Sequence, residues 1–188
     1  GDYVTLTAAI SDLNSKILCG ALDLVLTDSV YPNEIFPLVI NYNPGSSETN
    51  TISIKPAPGV SPVISCSTAW TVFLLNGTDH LIIDGCNQIG GDSKDLTIIN
   101  NYNVENINSV ISLRNNGIRG SSNSTIKNCI VKGYPSVYFS YGISIFETAG
   151  NGFDNTSILN NSIKNAKIGI NFNGISGDIS ENGIIRSN

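Results

Sequence analysis

Ile111-Ser112-Leu113, followed by Thr125-Ile126-Lys127-Asn128, returns as Ile143-Ser144-Ile145, followed by Ser157-Ile158-Leu159-Asn160; from 111 to 143 and from 128 to 160 the step is 32 residues. Two separate elements that advance by one period mark a solenoid, in which each turn of chain lays its strands on those of the turn before. A sandwich has no reason to keep them in step. Further copies, Ile170-Asn171-Phe172 and Ile179-Ser180-Glu181-Asn182, return at shorter spacing, as coils of unequal corner length would place them. An Asn after a strand, as at Asn100, Asn128, Asn160 and Asn182, suits a tight turn and can hydrogen-bond its equivalent one coil on.

Upstream of the repeat the same grammar holds. Leu22 to Leu26, Phe36 to Ile40, Thr51 to Lys55, Val72 to Leu75 and Leu81 to Ile83 are short β-rich runs separated by Gly, Pro, Asn or Asp. Only the opening differs: Leu6, Ala9, Ile10 and Leu13 fall at helical spacing after Thr5, a candidate N-cap, with Asn14 and Gly20 at the exit. No later segment keeps a helical apolar period, so a fold needing one crossover helix per strand is disfavoured. The expectation is one all-β domain over 1–188, with residues 1–20 as a helical cap and 21–188 as parallel coils.

The composition narrows the function. Of 188 residues only 13 % are charged, the net charge is −5, and no run of Lys or Arg could neutralise a line of phosphates, so nucleic acid is not an expected partner. No stretch reaches the roughly 20 apolar residues of a membrane span. The chain has no Met, which leads us to expect a processed or excised segment of a secreted protein.

Several blocks carry a likeness to a known family: Thr-Leu-Thr-Ala-Ala-Ile at 5 to 10, Thr-Asp-Ser-Val-Tyr-Pro-Asn-Glu at 27 to 34, Ile-Ser-Ile-Lys-Pro at 52 to 56, Pro-Val-Ile-Ser at 62 to 65 and His-Leu-Ile-Ile-Asp-Gly at 80 to 85. With them the chain resembles the pectin-lyase-like right-handed parallel β-helix superfamily, and more closely the β-helix segments of secreted Bacteroidetes-type surface proteins. The resemblance implies a right-handed coil stack whose first helix covers apolar side chains and strand edges that a terminal coil would otherwise expose. It implies a fold and not an activity. The family's hydrolases use clustered carboxylates and its lyases a Lys or Arg base, commonly with calcium-binding acids, and neither set is evident.

No catalytic residue is therefore expected. His80 stands before the Leu81-Ile82-Ile83 strand, Asp84 precedes Gly85 in a turn, and Asp92 and Asp95 flank Lys94 in a Gly-rich loop, all readable as turn chemistry. No metal or other cofactor is expected; calcium at the Asp92 and Asp95 loop is the single alternative weighed. The best ligand patch is aromatic, Tyr134, Tyr138, Phe139 and Tyr141 near Lys132, because sugars lie on ring faces with polar groups at the rim. Rings that merely cover a coil corner are the alternative. Asn76-Gly77-Thr78, Asn123-Ser124-Thr125, Asn155-Thr156-Ser157 and Asn160-Asn161-Ser162 match the N-glycosylation pattern, and Asp28-Ser29-Val30 a short O-glycosylation motif.

Cys66 and Cys86 each follow an apolar strand and lie 20 residues apart, a spacing that suits one coil and predicts a bridge between them, with Cys19 and Cys129 as buried free thiols. The functional expectation is a non-catalytic extracellular or bacterial cell-surface module, structural, adhesive or filament-forming. Its expected partners are glycans, further coils, or copies of itself packed end to end. A polysaccharide lyase or glycoside hydrolase fragment, or a pure carbohydrate-binding module, are the competing readings.

Overall fold

The structure is a computed structural model, which describes residues 2–104, 107–135, 139–146, 152–173 and 182–188. Among the described residues one helix, α1 (Leu6–Ser15), precedes fifteen strands. In chain order these are β1 (Leu22–Leu26), β2 (Leu38–Asn41), β3 (Ile52–Pro56), β4 (Val63–Cys66), β5 (Phe73–Asn76), β6 (Leu81–Asp84), β7 (Leu96–Asn100) and β8 (Ile107–Arg114). They continue as β9 (Thr125–Lys127), β10 (Cys129–Lys132), β11 (Phe139–Phe146), β12 (Ser157–Leu159), β13 (Ser162–Lys164), β14 (Ile168–Asn173) and β15 (Ile184–Arg186).

The strands build three parallel sheets, ordered β1-β3-β6-β9-β12-β15, β4-β7-β10-β13 and β2-β5-β8-β11-β14. From β2 onward successive strands visit the three sheets in rotation, and between β1 and β2 a single bridge from Val30 to Val63 takes the place of a strand in the four-stranded sheet. The expected pairings hold: Ile111 lies opposite Ile143, and Ile143 opposite Ile170. Along the six-stranded sheet the coil steps are 30 residues (22 to 52), 29 (52 to 81), 43 (82 to 125), 32 (125 to 157) and 27 (157 to 184). The length varies at corners while the strands stay in register.

One side of each strand faces the axis, where Ile40, Ile52, Ile54, Ile64, Leu75, Ile83, Ile98, Ile111 and Ile143 are fully buried. Burying such a side chain contributes about 1.5–3 kcal/mol. The five upstream strands match the sequence reading to within two residues at each edge, whereas β8 and β11 begin four residues before the expected Ile111 and Ile143. The second strand begins at Leu38 because Pro37 has no N–H to give a ladder.

α1 closes the N-terminal end as expected, with Leu6, Ala9, Ile10 and Leu13 buried and the Thr5 hydroxyl accepting from Ala8 N–H. Three polar side chains hold it there. Glu34 accepts from the backbone of Leu6 and Thr7 and from the Thr7 hydroxyl. Asn14 accepts from Asn41 N–H and donates to Val39 C=O, occupying the outer edge of β2. Buried Asn43 donates to Lys16 C=O and accepts from Leu18 N–H.

Polar columns tie the coils at two corners. Before the six-stranded sheet, His80, Asn123, Asn155 and Asn182 each have positive φ, and Asn155 donates to Asn123 at 2.9 Å. After it, Asn128 and Asn160 have positive φ, and Asn160 donates to Asn128 at 2.8 Å. The expected turn role thus holds for Asn128 and Asn160. Asn182 stands in the first column, two residues before β15, and the strand expected over Ile179 to Glu181 lies outside the described residues. Asn100 ends β7 and turns inward, donating to the carbonyls of Trp70 and Ser109.

These columns also explain most of the glycosylation-like triplets. Left-handed Asn123 and Asn155 are each followed by a hydroxyl that satisfies a buried carbonyl: Ser124 donates to Thr78 C=O, and Thr156 to Ser121 C=O. In the Asn76 triplet, Thr78 donates to Ile40 C=O. Asp28-Ser29-Val30 lies exposed on the bend after β1.

The cysteines need correcting. Cys66 ends β4 in the four-stranded sheet opposite Asn100, whereas Cys86 follows β6 of the six-stranded sheet. A coil here is 27 to 43 residues, so a spacing of 20 reaches a different sheet and not the next layer. All four thiols are free; Cys66, Cys86 and Cys129 are buried, and Cys19, expected to be buried, is exposed.

Candidate functional site

The outer face of the five-stranded sheet carries a band of aromatic rings around one guanidinium. Arg114 ends β8 directly opposite Phe146 of β11 and Asn76 of β5. Its guanidinium carbon stands 4.1 Å from the Phe146 ring centroid and 5.2 Å from that of Trp70. Nε donates to the Ser112 hydroxyl at 3.0 Å, which fixes the plane of the group. Ser112 is in turn bonded by Ser144 of the next coil. Burial disfavours the charged form of Arg114 and lowers its pKa from the ordinary value.

Phe146 continues the band to Tyr141, edge to face at 5.8 Å, and Tyr141 stacks on Phe139 at 6.4 Å. Beside Arg114 opens a cleft of about 470 Å³ lined by Trp70, Leu74, Asn76, Ile107, Arg114, Asn115 and Phe146. A planar donor fixed between rings, with amides at the rim, can hold an oxygen-rich ligand by hydrogen bonds while its apolar faces lie on the rings.

The aromatic patch expected from sequence divides in two. Phe139 and Tyr141 join this band, with Phe139 44 % exposed and Tyr141 largely buried. Lys132 ends β10 on the four-stranded sheet, opposite Ile99 and Lys164, and half-buried Tyr134 follows it. Tyr138 lies outside the described residues. Trp70, Arg114 and Phe146 were missed, although the 32-residue step already sets Arg114 opposite Phe146.

No protein family, no curated protein and no solved structure matches this chain. What it does has to be read from its own residues.

The remaining polar candidates are engaged in turns. His80, at positive φ, donates its N–H to Ser122 C=O at the head of β6. Asp84 pairs with Lys127 at 3.0 Å and accepts from Cys86 N–H and from Asn128. Asp95 accepts from the Ser93 hydroxyl and from Asn87 N–H, and Lys94 reaches Asn160 at 2.7 Å. Among the described residues no group of three or more His, Cys, Asp and Glu side chains converges. A second Arg, Arg119, lies over the Tyr42 ring at 3.8 Å and 4.0 Å from Asp79.

Proposed function

We propose that this chain is a non-catalytic, extracellular, right-handed β-helix module of the pectin-lyase-like type, a structural or adhesive part of a bacterial surface protein. Its glycan contact is the outer face of the five-stranded sheet. The observation that carries this reading is the Trp70, Arg114, Phe146, Tyr141 and Phe139 band, which crosses successive coils on a face stiffened by stacked strands. Rings held on a rigid scaffold, here exposed Phe139 and half-buried Trp70 and Phe146, lose little conformational entropy when a sugar settles on them. The resemblance in sequence supports the handedness, and the parallel register supports a solenoid.

A glycan array followed by calorimetry on the best ligand tests it. Binding should weaken at least tenfold in Trp70→Ala and Phe146→Ala, with no new reducing or unsaturated ends released. Release of such ends, abolished in His80→Ala or Asp84→Ala, would replace this reading by an enzymatic one, and undiminished binding in both ring variants would move the site elsewhere.

A further inference from the structure

The two outermost strands at the N-terminal end are treated differently. The outer edge of β2 is occupied by Asn14, which takes Asn41 N–H and Val39 C=O. β1 is the end strand of the six-stranded sheet and, among the described residues, pairs only with β3. Leu22 N–H and Leu26 C=O bond toward β3. In a parallel strand the alternate residues face the other way, so the backbone N–H and C=O groups of Asp23 and Val25 point outward along an edge with no strand beside it.

Two apolar hollows flank that edge. One, of about 250 Å³, is lined by Tyr3, Leu6, Leu24, Leu26 and Tyr31, and the other, of about 320 Å³, by Ala9, Leu13, Leu18 and Leu22. Around them Tyr3, Val4, Ile17, Val25, Val30 and Ile35 are exposed. The charge is lopsided too: residues 1–35 hold Asp2, Asp12, Asp23, Asp28 and Glu34 against Lys16 alone, which gives this end −4 of the chain's net −5. Asp23 already pairs across the sheet with Lys55 at 2.6 Å, the kind of cross-strand ladder another cation would extend.

We propose that the free edge of β1 is a strand-addition site for an extended segment of another polypeptide chain, one that alternates apolar with basic residues. Its backbone pairs with Asp23 and Val25, its apolar side chains enter the two hollows, and its cations face Asp2, Asp23 and Asp28.

The test uses a labelled synthetic peptide of alternating lysine and valine, titrated against the full chain by fluorescence anisotropy. Three controls accompany it: the glutamate and valine counterpart, the same lysine peptide N-methylated at alternate residues, and sedimentation of the protein alone. We expect saturable binding by the lysine peptide, weakened at least tenfold by N-methylation and by Val25→Pro, which removes an outward N–H without touching the β3 ladder. Asp28→Lys, which lies outside the strand, should weaken binding severalfold and flatten its salt dependence, so the proposal stays decidable if Val25→Pro fails to fold. Equal binding of the glutamate or N-methylated peptide, or no binding at all, would overturn it. Concentration-dependent self-association blocked by Val25→Pro would overturn it in favour of a contact between copies of this chain.

Discussion

Asn160 donates through its amide to the side-chain oxygen of Asn128, its equivalent one coil earlier, at 2.8 Å, and both residues have positive φ. The pair solves two problems at once: a left-handed turn that a β-carbon resists, and an amide that must be bonded where the loop over 86–95 covers it. Asn160→Ala should cost about 2–3 kcal/mol, combining a strained left-handed position with a lost bond. Asn160→Gly, which relieves the strain but not the lost bond, should cost about 1 kcal/mol. Urea unfolding of the two variants separates the terms.

The cap depends on one carboxylate. Glu34 accepts from Leu6 N–H, Thr7 N–H and the Thr7 hydroxyl at the positive end of α1. Glu34→Ala leaves those donors unpaired and should destabilise the chain by about 1–3 kcal/mol. Hydrogen exchange should show the loss concentrated in residues 6–15, with the central coils unchanged.

Asp79 offers a pH test. Burial raises its pKa, and the bond from Ser122 N–H and the nearby His80 and Arg119 only partly oppose this. A carboxyl whose folded pKa lies above its unfolded one favours the fold when protonated, so its contribution is full in acid and is lost as pH rises through the folded value. Asp79→Asn should raise the melting temperature at pH 7 by about 1–3 °C, the shift of up to ~1 kcal/mol in a chain of this size. The gain should vanish near pH 3, as calorimetry at both pH values will show.

Thiol accessibility is equally direct. Cys19 is exposed, while Cys66 and Cys129 are fully buried and burial raises the pKa of Cys129 far above that of a free thiol. Iodoacetamide with mass mapping should label Cys19 within minutes and Cys129 only after unfolding. A Cys66 to Cys86 cross-link found in non-reduced protein would contradict the placement of these residues on different sheets.

Arg114→Lys keeps the charge in the cleft but loses the planar stack between Trp70 and Phe146 and the bond to Ser112. It should weaken glycan binding about as much as Arg114→Ala, whereas a purely electrostatic contact would be rescued. Calorimetry of both variants with one ligand decides.

The sequence by itself determined the coil stack, because strands stacked in register repeat their inward residues: Ile111 and Ile143, or Asn128 and Asn160, are 32 residues apart since one turn of chain separates them. It also determined the cap, because Leu6, Ala9, Ile10 and Leu13 can share a buried face only on a helix. Neither Cys66 nor Trp70 could be placed that way. Which sheet receives a residue depends on the summed length of the corners before it, and corner length follows no period: the coil that holds Cys86 runs 43 residues because it carries the loops over 86–95 and 115–124. Only the tertiary structure therefore decided that Cys66 stacks on Asn100 and that Lys132 and Tyr141 lie on different sheets. Only it brought Trp70, from the corner before β5, against an arginine 44 positions further on, from 70 to 114. Outward side chains are under no packing constraint that repeats, so the face that meets a ligand is the part of a solenoid its periodicity leaves unwritten.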